Sequence, residues 1–327
     1  MTQNWERRPE GGTRFMVALI RAIARYAGRG VSRLLLYPIT LYFLVVRGPE
    51  RRASRAYLSR VFGRPATLME CARHVHCFSS TILDRVFLLS GQLRRFDIRV
   101  SGVEDVHTLM DQGRGVLLFG SHLGSFESLR VLSLERPDVT LRVVMDRDQN
   151  AVVTQMLEAL SPEIARTVID ASQGGTGITL AISEATQANQ LVGLLVDRAK
   201  GAEPRTAVPF LGQLADFPSA PWLIAAALKV PVVLAFGLYR GGKRYDLHFE
   251  SFEVPQEMPR SRRRAMLVEL QARYAQRLEQ HVRSAPYNWF NFYDFWNSDA
   301  TDSTPAPMAG GEPAGNGVQP RSGGTAA

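Results

Sequence analysis

Cysteine is almost absent from this chain: its 327 residues contain only Cys71 and Cys77. Two thiols cannot staple a domain of this size, which excludes a disulfide framework and points to a reduced, cytoplasmic setting. Residues 1–12 are polar and lack the apolar stretch and small-residue cleavage site of a signal peptide. The N-terminal apolar run, residues 34–46, spans 13 positions and includes Pro38. A bilayer crossing needs about 20 apolar residues, so the run is expected to lie in the interface rather than to span it. Acids are also scarce where bases crowd. Between Arg14 and Arg60 there are ten arginines and a single acid, Glu50. Aromatic residues are missing altogether from residues 297–327, which are rich in Gly, Pro, Ala, Ser and Thr and read as a disordered tail. There is no internal repeat.

What is present is an ordinary globular balance. Hydrophobic residues make up 45% of the chain and charged residues 21%, enough to bury a sizeable core. The net charge of +8 favours anionic partners such as phospholipid headgroups, nucleic acid or phosphorylated ligands. Arg21, Arg25, Arg29 and Arg33 recur every four residues and form one basic stripe if the segment is helical. Because these arginines alternate with long apolar runs, an anionic membrane surface suits them better than a nucleic-acid groove. Three regions follow: an N-terminal membrane-associating helical region over 1–60, an α/β domain over 61–296, and the tail over 297–327.

The middle region alternates. Helical patterning covers 64–92; strands are expected at 96–101, 115–120, 141–145, 167–169, 190–196, 230–238 and 245–249. Helices are expected at 103–112, 125–134, 151–160, 178–188, 222–227 and 261–283. This order implies an α/β fold with a mainly parallel central sheet flanked by helices.

The segment Gly120-Ser121-His122-Leu123-Gly124-Ser125-Phe126-Glu127 carries the chemistry. It follows an apolar, glycine-bounded strand, and ligands of open α/β sheets gather at the carboxyl ends of strands. A histidine there suits general-base work on a hydroxyl, given a partner that fixes its tautomer. Glu127 is five residues on. In one regular helix positions i and i+5 lie about 140° apart, so the two meet only if His122 is in a turn and Glu127 opens the next helix. Gly124 permits such a turn, and Ser125 is placed to cap that helix.

The His122-x4-Glu127 box resembles the His-x4-Asp/Glu box of glycerolipid acyltransferases. The whole pattern looks most like the bacterial lipid A biosynthesis (lauroyl/myristoyl) acyltransferase group. Residues 113–127 are similar to its first block, residues 192–198 to a strand ending in Asp197-Arg198, and Val208-Pro209-Phe210-Leu211-Gly212 with residues 217–221 to a later block. The similarity runs over roughly residues 15–296. It implies an O-acyltransferase at the cytoplasmic side of the inner membrane. His122 would deprotonate a hydroxyl of a lipid or glycolipid acceptor, such as a lipid A precursor. Glu127 would orient His122, and the acyl chain would come from acyl carrier protein or acyl-CoA. No cofactor or metal is implied. An arginine downstream of the box would meet phosphate; Arg166, Arg147 and Arg198 compete for that place, with Arg166 favoured by its position before Asp197. Gly124, Ser125 and Asp197 complete the expected substrate-binding set.

Three other readings remain open. A lipid esterase would need Ser121 or Ser125 as nucleophile, although His122 occupies the central position of the Gly120–Gly124 frame. A dinucleotide-binding fold would need G-x-G-x-x-G, which is lacking. A non-catalytic membrane-binding protein would use the basic N-terminus alone. Cys71, His74, His76 and Cys77 have the wrong spacing for a closed zinc site, so packing explains them better. The aromatic run at 287–296 is expected to pack near the cleft.

Overall fold

The structure, a computed structural model, describes residues 28–132, 136, 138–148, 150–199 and 203–296. The expected tail and the first two arginines of the basic stripe lie outside these residues.

Four helices open the described chain: α1 (Gly28–Leu34), α2 (Leu36–Val46), α3 (Gly48–Phe62) and α4 (Leu68–Leu89). Gly63, in the left-handed region at φ 66°, ends α3. Thr67 and Glu70 form a reciprocal capping box that starts α4. Then come β1 (Asp97–Ser101), α5 (Glu104–Asp111), β2 (Val116–Gly120), β3 (Leu141–Met145), α6 (Ala151–Leu160), α7 (Pro162–Thr167), β4 (Val168–Asp170), α8 (Gly174–Gln187) and β5 (Leu191–Leu195). The chain continues through β6 (Arg205–Phe210), β7 (Gln213–Pro218), α9 (Ala220–Leu228), β8 (Val232–Tyr239), β9 (Arg244–Phe252) and α10 (Arg263–Ser284).

Seven strands make one sheet in the order β1-β9-β8-β2-β5-β3-β4. β2, β3, β4, β5 and β8 run parallel to one another, and β9 is antiparallel to β8. The expected mainly parallel α/β sheet is what forms. β2 and β8, at its centre, are buried along their whole length. Their continuous apolar sequence is the mark of strands covered on both faces.

The β6–β7 hairpin was not foreseen as strands. Pro209 and Pro218 interrupt its pattern, and proline is tolerated there because the hairpin forms its own two-stranded sheet. Its two-residue turn, Leu211-Gly212, has positive φ at both positions (49° and 83°), the geometry whose twist suits a tight hairpin. The hairpin is tied to α10 by the Leu211 N–H donating to Glu279 Oε2 (2.7 Å) and by Gln271 Nε2 donating to the Pro218 carbonyl (3.1 Å). A second difference is at 174–177, where helix α8 begins on Gly174 and Gly175, ahead of the helix expected from 178.

The N-terminal helices are bonded to the body of the domain. Buried Arg29 donates from Nε and Nη2 to the two oxygens of Asp84 (2.7 and 2.8 Å), which also accepts from Tyr245 Oη (2.9 Å). Arg33 Nη1 donates to Tyr239 Oη (3.0 Å). The stretch Gly28–Val46 is 19 residues, long and apolar enough by length and composition to cross a membrane, with 22% of its apolar window buried. The apolar run taken from the sequence, residues 34–46, is shorter because it leaves out most of α1. Val31, Leu34, Leu35, Tyr37, Leu41 and Val45 on it are exposed, an apolar face far larger than isolated surface residues produce.

Candidate active site

The register of two neighbouring parallel strands builds the site. Gly120 of β2 lies opposite Leu195 of β5. Two residues further along each chain this pairing brings His122 beside Asp197. His122 Nδ1 is 2.8 Å from Asp197 Oδ1, and the His122 backbone N–H donates to Asp197 Oδ2 (3.0 Å). Asp197 is fully buried, whereas the His122 side chain is 34% exposed, so the ring opens toward solvent from a carboxylate floor.

A buried carboxylate stays ionised only with compensation. Here three donors supply it. The third is the indole N–H of Trp289, 3.0 Å from Asp197 Oδ2. Burial works against the charge on Asp197, but the positive field and hydrogen bonds of His122, with the charge of Arg198, hold its pKa far below the usual carboxylate range. An ionised Asp197 on Nδ1 fixes the tautomer: Nδ1 carries the proton, and Nε2 carries the lone pair.

The turn that presents His122 is clamped by backbone bonds from two other elements. The His122 carbonyl accepts from Phe290 N–H (2.9 Å), Gly124 N–H donates to the Asn288 carbonyl (2.8 Å), and Ser125 N–H donates to the Gly237 carbonyl on β8 (2.8 Å). Gly124 has φ 74°, and a Cβ there would sit 1.9 Å from the Gly237 oxygen. Glycine is needed on both counts, backbone conformation and close approach.

Glu127 faces another way. Its Oε1 is 2.6 Å from Arg85 Nε of α4, an ion-pair contact in which the Arg85 N–H direction falls outside hydrogen-bond geometry. Its Oε2 accepts from Ser125 Oγ (3.1 Å). Ser125 was expected to cap a helix; its hydroxyl goes to Glu127 instead, and the following residues Phe126–Arg130 form a 3-10 turn.

The three arginines considered for phosphate lie apart. Arg198 stays at the site: it donates from Nη2 to the Phe290 carbonyl, and its guanidinium lies 5.4 Å from the centre of the Tyr293 ring. Arg147 follows the carboxyl end of β3 and spends Nη2 on the Ala165 carbonyl (2.6 Å). Arg166, the favoured one, closes α7 ahead of the amino end of β4, which puts it at the opposite edge of the parallel sheet from His122.

Sequence reasoning missed two partners, Arg85 and Trp289. The dense aromatic run at 287–296 was the signal for the second: Trp289 is fully buried against Tyr57, Phe210 and Phe295. Behind it, His74 joins α3 and α4 to this run. Its Nδ1 is 2.8 Å from Ser54 Oγ, and its Nε2 is 2.9 Å from the Trp289 carbonyl. Burial lowers the His74 pKa to about 4, and the Trp289 carbonyl only partly opposes this. Cys71 and Cys77 are buried and unbridged.

The family model described as bacterial lipid A biosynthesis acyltransferase matches residues 12–298, nearly the whole chain. No curated protein matches it at a significant level.

Proposed function

We propose that this chain, which belongs to the bacterial lipid A biosynthesis acyltransferase family, performs its acyl transfer with His122 as general base and Asp197 as the residue that orients it. Membership makes it an acyltransferase with an acyl donor and a lipid acceptor. The observation that carries the finer reading is the 2.8 Å contact between His122 Nδ1 and a carboxylate held ionised by three donors.

The steps follow from that tautomer. Nε2 takes the proton of an acceptor hydroxyl as its oxygen attacks the carbonyl carbon of an acyl thioester. The imidazolium so formed is balanced by Asp197. Collapse of the tetrahedral intermediate breaks the C–S bond, and the proton passes from Nε2 to the departing sulfur, leaving an ester and a thiol. Glu127 was assigned the orienting role from its spacing. Glu127 is a second carboxylate on the same turn, paired with Arg85 and Ser125, and holds the segment that carries His122. The donor is an acyl thioester on acyl carrier protein or CoA, and the acceptor a hydroxyl of a lipid A precursor or related glycolipid. Arg198 is the arginine best placed at this edge to meet an acceptor phosphate.

The location proposed is the cytoplasmic side of the inner membrane. The exposed face of Gly28–Val46 supports contact with lipid, and the Arg29–Asp84 and Arg33–Tyr239 bonds support a helix lying along the surface rather than through it.

The test is transfer of a labelled acyl group from acyl carrier protein to a lipid acceptor, followed by mass spectrometry. His122→Ala should abolish transfer in a folded protein. Ester hydrolysis by wild type without an acceptor, at a rate equal to transfer, would favour the esterase reading. Binding to vesicles with no turnover of either kind would favour a non-catalytic protein.

A further inference from the structure

One open groove of about 620 Å³ is separate from the dyad, within the range of roughly 300–1,000 Å³ that small-molecule sites occupy. Its walls come from α1–α2, the first turns of α4, the β8–β9 turn, and residues 284–288 at and after the end of α10. Its charged lining residues are Arg33, Arg73 and Arg240, with His76 beside them and no carboxylate. Arg240 is partly spent on Asp246, 2.9 Å away. Among the described residues, Arg33 donates to the Tyr239 hydroxyl and has no ion pair, and Arg73 is exposed and also without one. The groove is therefore cationic through Arg33 and Arg73.

Its position gives it an occupant. Tyr37 and Met69, each 65% exposed, belong both to its lining and to the apolar surface of α1–α2 and Leu68. Cationic side chains thus stand where an apolar face meets water. In a bilayer that level is occupied by lipid phosphates. We propose that this groove binds the phosphate headgroup of an anionic membrane glycerophospholipid, with Arg33 and Arg73 on the phosphate and the acyl chains left on the adjoining apolar face. The inference rests on the membrane contact proposed above. The lipid would be bound for retention and is not the acyl acceptor. The back wall includes Asn288, whose carbonyl holds Gly124 N–H and whose neighbour Trp289 holds Asp197, so a filled groove would also brace the catalytic turn.

The experiment is flotation of the full chain with vesicles of phosphatidylcholine alone and with phosphatidylglycerol added. Wild type should bind the neutral vesicles and gain about 30-fold on the anionic ones, the effect of two arginines at a charged surface. Arg33→Gln with Arg73→Gln should keep the neutral binding and lose most of that gain. Arg262→Gln with Arg264→Gln removes the same charge from an exposed stretch at the start of α10 and should keep it. Circular dichroism checks that all three are folded. An equal loss in both double variants, or a retained gain in the first, overturns the site. Absence of binding to either vesicle overturns the membrane reading and the site together, whereas neutral binding without an anionic gain overturns the site alone.

Discussion

Replacing Asp197 by Asn keeps the shape of the side chain and removes its charge. The Asn oxygen can still accept from His122 N–H and Trp289 Nε1, the two donors on Oδ2. Its NH2 group then faces His122 Nδ1, where a proton now sits. To avoid an unmade buried hydrogen bond, costing about 1–3 kcal/mol, the ring moves its proton to Nε2 and ceases to be a base there. The imidazolium also loses its counter-charge. A unit pair 2.8 Å apart at an effective dielectric of about 20 is worth about 6 kcal/mol, and a half-transferred proton feels about half of that. The expected loss in kcat is roughly 10²–10⁴-fold, near the 10⁴ reported for the equivalent change in a serine-protease triad. The assay is steady-state acyl transfer across pH 5–9, alongside the thermal midpoint. Stability provides a check on the same residue. Because the folded pKa of Asp197 is depressed, its contribution is present above the unfolded value near 3.9 and fades as pH falls below it. The difference in midpoint between wild type and variant should therefore shrink below about pH 4. A folded Asp197→Asn variant within threefold of wild-type kcat would refute the orienting role and return it to Glu127, which Glu127→Gln would then have to impair far more strongly.

Trp289→Phe removes one donor from the buried carboxylate and leaves the ring packing. We expect a lower thermal midpoint, since hydrogen bonds to charged groups are worth about 1.5–3 kcal/mol of stability, with kcat at the pH optimum not reduced. The acid limb of the rate profile should move upward, because a carboxylate relieved of a donor stabilises the imidazolium more; an unmoved limb would reduce Trp289 to a packing residue. His74 predicts a stability effect. Its folded pKa of about 4 lies below the unfolded value near 6.5, so the unfolded chain binds more protons between the two and stability falls as pH drops through that window. His74→Gln should flatten the dependence of the thermal midpoint on pH between 6.5 and 4, and an unchanged slope would refute the assignment.

β2 and β5 were legible because buried parallel strands are continuous apolar segments, and 116–120, framed by Gly115 and Gly120, and 191–195 have that form. The β6–β7 hairpin was not legible, since its prolines break the pattern and its stability comes from α10, about 60 residues later in the chain. His122 was legible for a similar reason: a polar residue directly after a central strand stands at the carboxyl edge, where binding happens. Gly124 was legible as a turn, although only the packed structure shows the Gly237 carbonyl that forbids a side chain there. The partner of His122 was a different matter. Spacing along the chain offers Glu127, five residues away, and says nothing of Asp197, 75 residues away. Which carboxylate sits on Nδ1 depends on the pairing register of β2 with β5, and register is fixed by which faces the helices cover, a property of the whole sheet. The same holds for Trp289, brought under Asp197 by the packing of the last aromatic segment, and for Arg166, carried to the far edge by the direction of β4. Local sequence determined which residues are apolar, which can turn and which can ionise. Tertiary structure decided which of the ionisable ones meet, because hydrogen bonds act over about 3 Å and the residues that make them are distant in the chain.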